Sequence, residues 1–191
     1  MPFEYLDTIL EVGQVRIPYD SHRGCLCLSE KDVNSDISKV EITGFDSVCL
    51  AFRLEGLKKP YKTHLYLKKS AADIHKGCDG VLIFRFKGIG YILICELKSR
   101  NVSGFKKQIH SSYAFVDYLC SLVKRFGNSD MSGFKRRSVL FTTRPFANKR
   151  PFIRKPPYKG PMGDESLIEF FCHPSKRDVP SYPVKLLLAL D

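Results

Sequence analysis

The spacing of apolar residues along the 191-residue chain predicts a mixture of helices and strands. Helical periodicity predicts a first helix over residues 3–12 and a long amphipathic helix over 104–126, with Asn101 or Ser103 as its N-cap. Apolar runs typical of strands follow in chain order at 47–54, 63–69, 81–86, 91–97, 137–143 and 167–173. A final apolar segment at 184–190 is less strand-like. A hairpin, a long helix and a further strand together predict an α/β fold with a central mixed β-sheet flanked by α-helices.

The strongest hairpin signal lies in the stretch CDGVLIFRFKGIGYILICELKSR, residues 78–100. A turn at residues 88–89 would place Asp79 across from Lys98 on the neighbouring strand. Because residues two apart on a strand share a face, Glu96 lies on the same face as Lys98, and Asp79 reaches that face from its own strand. The pattern therefore predicts that two acids and an amine meet at one end of a strand pair.

Both faces of the second strand look apolar, which is typical of a buried central strand. Charged groups in such surroundings are tolerated when they are paired, hydrogen-bonded or bound to metal. Lys98 can neutralise one of the two acids. A hard divalent cation such as Mg²⁺ or Mn²⁺, which prefers oxygen ligands, would satisfy both. A structural ion pair that caps the hairpin is the alternative.

The composition, with 43% hydrophobic and 27% charged residues, is that of a globular chain and not of a disordered one. We expect one domain over residues 1–191. The longest apolar runs are shorter than a membrane span requires, and the N-terminus lacks the basic start of a secretory signal. We therefore expect an intracellular protein, cytoplasmic or nuclear, with no membrane partner.

The seven cysteines are scattered and form no disulfide framework, so reduced thiols in a reducing compartment are the simplest interpretation. A zinc site is the alternative, although its spacing matches no standard ligand pattern. Its ligands would be His22, Cys25, Cys27, Cys172 and His173.

The net charge of +11 is unevenly distributed along the chain. Residues 1–60 carry 7 basic and 10 acidic residues, whereas residues 61–191 carry 24 and 10. Such a field attracts a polyanion, and the aromatic residues interleaved with basic ones over 131–163 would stack on unpaired bases. The alternatives are a solvated basic surface with the aromatic residues turned inward, a membrane-surface patch, or a face that meets an acidic protein partner.

The segment at 144–166 contains five prolines and two glycines, which exclude a continuous helix or a central strand. We expect it to be a long basic, proline-rich loop. The stretch 135–159 would hold a nucleic-acid backbone, and the candidates are Arg136, Arg137, Arg144, Lys149, Arg150, Arg154 and Lys155.

The motif at this hairpin resembles that of the PD-(D/E)XK nuclease superfamily. Asp79 stands at the start of one strand, and Glu96-Leu97-Lys98 stands at the end of the next. The order strand, Asp79, strand, ExK, helix, strand also resembles the core of that family, and the likeness covers about residues 60–145. One departure is Cys78, which stands where many members have proline.

This resemblance implies a restriction-endonuclease-like core and a hydrolase that uses Mg²⁺ or Mn²⁺. Asp79 and Glu96, with the main-chain carbonyl of Leu97, would be the metal ligands. Lys98 would orient or help deprotonate the attacking water, or stabilise the phosphorane oxygens. Gln108 resembles a glutamine that many members place in the following helix against substrate or water; a surface glutamine is the alternative.

Weaker candidates surround this core. Lys106 and Lys107, near the start of the predicted helix, would contact phosphate, although exposed helix ends often carry such residues. His75 resembles the metal-binding histidine of cap-snatching viral endonucleases in the same superfamily, but a histidine near a turn is more often merely exposed. Family members often add an upstream acid, for which the candidates are Glu11, Glu41 and Glu55.

The sequence therefore predicts a metal-dependent nuclease that hydrolyses phosphodiester bonds in DNA or RNA. It would act alone, as a homodimer or as a subunit of a nucleic-acid-processing complex. The alternative is a non-catalytic nucleic-acid-binding module that keeps the nuclease fold. DNA versus RNA and endo- versus exonuclease action stay open at this point.

Overall fold

The computed structural model describes residues 2–10, 16–30, 35–54, 74, 76–101, 103–143, 166–172 and 179–188. Within these ranges the chain is α/β. Its helices and strands are, in chain order, α1 (Pro2–Ile9), β1 (Tyr19–Asp20), β2 (Cys25–Ser29), β3 (Lys39–Thr43), β4 (Ser47–Phe52), β5 (Gly80–Phe86), β6 (Ile89–Lys98), α2 (Phe105–Phe126), β7 (Lys135–Thr142), β8 (Ser166–Phe171), β9 (Ser181–Pro183) and α3 (Val184–Leu188). None of the helices in this described part combines the length and the apolar character needed to cross a bilayer.

The larger of the two mixed sheets has the strand order β4-β5-β6-β7-β8. β4, β5 and β6 form an antiparallel meander, whereas β6, β7 and β8 run parallel. A parallel pair needs a crossover connection, and α2 supplies it between β6 and β7. β6 is therefore the central strand, and its residues 90–97 are buried on both faces.

Each face of this sheet has its own apolar core. On one face, Ile92 and Ile94 of β6 pack with Ile109 and Val116 of α2, and Leu6 of α1 joins the same cluster. This face is covered by helices, as the sequence predicts.

The opposite face is covered by a second sheet, in the order β1-β2-β3-β9, and by the short helix α3. Leu93 and Cys95 of β6 pack there with Leu26 of β2 and Ile42 of β3. The expectation of a sheet flanked by helices is therefore wrong for this face. These strands are two to five residues long and escape a search for longer apolar runs.

Most predicted elements are confirmed with shifted ends. The helix predicted over 3–12 is α1, the helix over 104–126 is α2, and five predicted strands are β4 to β8. The closing segment at 184–190 contributes the helix α3. The strand predicted over 63–69 lies outside the described residues, as does the proline-rich loop up to residue 165.

The start of α2 differs from the expectation. Gly104 is the N-cap, with a left-handed φ of 78°, and no side chain caps the helix. Asn101 instead accepts the Ser103 N–H at 2.9 Å. Neither of the two predicted residues therefore caps α2.

The hairpin turn lies one residue earlier than predicted. Phe86 pairs with Ile89, so Lys87 and Gly88 form the two-residue turn. Their φ angles of 49° and 78° are both positive, as a type I′ turn requires. The ladder ends with Gly80 opposite Cys95.

Moving the turn by one residue shifts the strand pairing by two positions. One step beyond Gly80, Asp79 therefore comes opposite Glu96 and not opposite Lys98. A shift of two leaves every side chain on its predicted face, because side chains alternate with a period of two. The predicted cross-strand pair is wrong, but the shared face is retained.

The turn geometry gives the first prediction. Gly88→Ala should lower the free energy of unfolding by about 1 kcal/mol, because an L side chain is strained at this left-handed φ although nothing lies within 4 Å of its Cβ. Gly133 is a matched control, since its Cβ also meets open space and its φ is not left-handed. Urea denaturation of both variants measures the difference, and equal values would contradict the assigned turn.

Candidate functional site

Glu96 and Lys98 lie at the carboxyl end of β6 and form a close ion pair. Lys98 Nζ is 2.7 Å from Glu96 Oε1. The Glu96 side chain is 0% exposed, and that of Lys98 is 22% exposed. A buried carboxylate requires a nearby positive charge because desolvation penalises its charged form. In this arrangement Lys98 provides that charge and keeps its own stem near the surface.

Asp79 reaches the same place from the other strand of the hairpin. It precedes β5 directly, and its Oδ2 accepts the backbone N–H of Leu97 at 2.7 Å. The N–H and C=O of a strand residue point toward the same neighbouring strand, so the Leu97 carbonyl is directed toward the side of Asp79. Two carboxylates and one main-chain carbonyl therefore converge beyond the end of the β5–β6 ladder.

The ammonium of Lys98 is held in its charged form. Burial lowers the pKa of Lys98, but the charge and hydrogen bond of Glu96, with the charges of Asp79 and Glu30, outweigh burial and raise the pKa above its usual value. At neutral pH the side chain is thus a cation. Orientation of water and stabilisation of negative charge fit this state, whereas a proton-accepting role would first require the loss of a proton.

Glu30 is an acid near the site that the sequence did not indicate. It follows β2 directly, and its backbone N–H donates to the Ser38 carbonyl at 2.9 Å. Its charge acts on Lys98, although 68 positions separate the two residues in the chain. Only the packing of the second sheet on the first brings Glu30 there, and no local pattern could have revealed it.

The upstream acids proposed from the resemblance fare differently. Glu41 lies in β3, where its carboxylate pairs with Arg23 at 2.9 Å. That pair lies at the turn between β1 and β2, so Glu41 is occupied elsewhere. Glu11 and Glu55 lie outside the described residues, as does His75.

Ser99, which follows Lys98, hydrogen-bonds the end of β6 to neighbouring segments. Ser99 Oγ lies 2.9 Å from Ser35 Oγ and accepts the Asp36 N–H at 2.9 Å. Its carbonyl accepts a hydrogen bond from Thr142 Oγ1 at 3.1 Å. Neighbouring chain segments on two sides thus fix the backbone that presents Glu96 and Lys98.

Gln108 and Ser112, both buried on the first turns of α2, support the loop that carries Asp79. Gln108 Nε2 donates to the Gly77 carbonyl at 3.2 Å. Ser112 Oγ accepts the Cys78 N–H at 3.1 Å and donates to the Gln108 carbonyl at 2.7 Å. The structure thus places Gln108 beside the site, with its amide bonded to the chain just before Asp79.

A tyrosine five residues after Gln108 on α2 is a packing residue in this structure. Tyr113 is buried, and its hydroxyl accepts a hydrogen bond from Ser138 Oγ of β7 at 3.1 Å. This contact joins α2 to β7.

The basic candidates divide into three groups. Lys106 and Lys107 are exposed at the start of α2. Arg136 of β7 pairs with Asp117, and Arg137 is only 8% exposed, so the structure does not present these two arginines to a nucleic-acid backbone. The others lie outside the described residues, namely Arg144, Lys149, Arg150, Arg154 and Lys155.

The oxygen atoms at the hairpin end fit a hard cation that needs only one or two carboxylate ligands from the protein. Across the described ranges no three or more His, Cys, Asp or Glu side chains form a group that could hold a metal, and this includes the described members of the zinc alternative. Burial raises the pKa of the Cys78 and Cys95 thiols, so they supply no thiolate here. Two carboxylates and a carbonyl remain, and Mg²⁺ is typically held by one or two carboxylates with water and substrate phosphate.

No protein-family model, no curated protein and no solved structure matches the chain significantly. The functional interpretation therefore depends on the geometry of the described residues and on the motif at the hairpin.

The support of the Asp79 loop gives the second prediction. Ser112→Ala should lower the free energy of unfolding by about 1–3 kcal/mol, because the buried Cys78 N–H loses its acceptor. Ser121 is a matched control on the same helix: it too donates to the carbonyl four residues earlier, at 2.9 Å, but it is exposed. Ser121→Ala should stay within about 0.5 kcal/mol of wild type. Denaturant titration compares them, and equal losses would contradict the assigned role of Ser112.

Proposed function

We propose that the protein is a nuclease that hydrolyses phosphodiester bonds in DNA or RNA with Mg²⁺ or Mn²⁺. The observation that carries this proposal is the convergence of Asp79, Glu96 and Lys98 at one end of a central hairpin. Buried opposite charges also occur as structural pairs. Here, however, a second carboxylate, that of Asp79, is held next to the Glu96–Leu97 peptide by the Leu97 N–H, and one ammonium balances only one of the two negative charges.

The order of elements supports the same proposal. Asp79 enters β5, Glu96 and Lys98 end β6, and α2 then leads to β7 beside β6. This is the order strand, Asp, strand, ExK, helix, strand that the resemblance to the PD-(D/E)XK superfamily implies. A restriction-endonuclease-like core is accordingly part of the proposal.

Each residue at the hairpin end has a distinct part in the reaction. Asp79, Glu96 and the Leu97 carbonyl would hold the divalent ion, which would lower the pKa of a bound water and offset charge on the phosphate. Lys98, as a cation, orients the attacking water and stabilises the oxygens that become negative in the transition state. Gln108 acts indirectly, because it holds the loop before Asp79.

Lys106 and Lys107 are two exposed basic residues that would contact the substrate backbone. α2 begins beside the Asp79 loop, as the Gln108 contact with Gly77 shows, and ends near the start of β7, which pairs with the opposite end of β6. The two lysines are therefore at the same end of the sheet as the acids. Their charge, with the net +11 of the chain, favours a polyanionic substrate.

The third prediction tests the chemistry. Asp79→Asn and Lys98→Met should each reduce cleavage of labelled single- or double-stranded DNA or RNA by about 10² or more, because each removes a charge that the transition state uses. EDTA should abolish cleavage and Mn²⁺ should restore it. Gel analysis of all four substrates with the purified protein also identifies the nucleic acid that is cut.

Lys185→Met is the control for this assay, since Lys185 is an exposed lysine on α3, and it should cleave like wild type. Cleavage that survives EDTA and both site variants would contradict the proposal. Salt-sensitive binding without any cleavage would favour the non-catalytic nucleic-acid-binding module instead.

The fourth prediction concerns the substrate backbone. The double variant Lys106→Ala, Lys107→Ala should bind nucleic acid more weakly. Its negative slope of log K against log salt should become shallower, by about 0.9 for each lost phosphate contact on double-stranded DNA and by about 0.7 on a single strand. Lys124→Ala, Arg125→Ala changes another exposed basic pair, at the other end of α2 and with Lys124 in an exposed ion pair with Asp130, and is the control. Fluorescence anisotropy at several salt concentrations measures both, and equal slopes would contradict the assigned position of the substrate.

A further inference from the structure

We propose that Lys98 is a built-in counter-ion that neutralises Glu96 while no metal is bound and is displaced from that carboxylate when a divalent cation binds. This inference rests on the proposed metal site and adds a competition between two cations for one oxygen. It concerns the affinity of the chain for the metal itself, before any nucleic acid arrives.

The geometry sets up this competition. Lys98 Nζ lies 2.7 Å from Glu96 Oε1, within direct hydrogen-bond distance. The Glu96 side chain is 0% exposed and is fixed on the central strand, so its carboxylate cannot turn to solvent to receive a second cation elsewhere. An ion that binds Glu96 and Asp79 together would come close to the ammonium, and two positive charges repel.

The lysine has a route away from the carboxylate. Its side chain is 22% exposed, and its four-carbon stem lets the ammonium move toward water while the backbone stays in place. Glu30 is a second acid whose charge acts on the same ammonium, from the side of the second sheet. The displaced cation therefore keeps a favourable electrostatic environment close to the site.

The competition predicts opposite effects for two substitutions of one residue. Lys98→Met keeps the length of the side chain and removes the competing charge, so Mn²⁺ should bind about tenfold more tightly or better. Lys98→Arg keeps the charge and adds a bidentate fit to carboxylate, so Mn²⁺ should bind more weakly than to wild type. Lys98→Met should also melt at a lower temperature than wild type without metal, because Glu96 is left without its counter-ion, and should regain stability with Mn²⁺.

The test titrates Mn²⁺ alone, without nucleic acid, into wild type, Lys98→Met, Lys98→Arg, Glu96→Gln and the control Lys185→Met. Calorimetry gives the dissociation constants, and thermal melts with and without Mn²⁺ give a second readout. The inference is supported if Lys98→Met binds Mn²⁺ more tightly than wild type and Lys98→Arg binds it more weakly. Lys185→Met should bind like wild type, and Glu96→Gln should not bind. The Arg variant keeps the charge on Glu96 neutralised, so the comparison stands even if the Met variant folds only with Mn²⁺ present.

Failure of the inference and failure of the proposed function give different results. Equal Mn²⁺ affinities for wild type, Lys98→Met and Lys98→Arg, with binding lost in Glu96→Gln, would overturn the counter-ion role and leave the metal site in place. Absence of Mn²⁺ binding in wild type and in every variant would overturn the metal site, and the inference with it.

Discussion

The described structure depends on the neutralisation of one carboxylate that has no access to water. Glu96 lies on β6, the central strand of the five-stranded sheet, and is fully buried. Its negative charge is tolerated there only beside a positive charge. Lys98 meets that need at close range. A hydrophobic residue of similar size would fill the same space without the cost of a buried charge. The proposed metal site would account for a buried acid at this position.

Most of the hydrogen bonds described around this ion pair involve a main-chain group. Ser99 joins the end of β6 to the Ser35–Asp36 segment and to Thr142, and the start of α2 bonds the chain just before Asp79. These contacts fix the carbonyls and amides of the site, including the Leu97 amide that binds Asp79. Rigid main chain is what a site needs when one of its proposed ligands is a main-chain oxygen.

The sequence was sufficient for the features that depend on local periodicity. The long helix, the hairpin and the shared face of Asp79, Glu96 and Lys98 follow from spacing alone, and the shared face survives an error of one residue in the turn because pairing then moves by an even number. Features set by tertiary packing could not be predicted. The second sheet consists of very short strands, Glu30 reaches the site only through it, and the burial of Arg137 depends on which face of β7 that sheet covers. A count of charges along the chain suggests a surface position for such an arginine, but the fold determines whether it is buried.

Both acids and the lysine lie on a single hairpin, and this has a consequence for how the chain folds. Contacts between residues near in sequence form sooner than long-range parallel pairing, since loop closure between nearby segments has a smaller entropic barrier. The β5–β6 hairpin is local in this sense, while β7 joins β6 only after α2 has crossed the sheet. We therefore expect the charged groups of the hairpin to come together early in folding, and Glu96 to lose contact with water only afterwards. A nascent chain would thus meet divalent ions while the acids are still accessible.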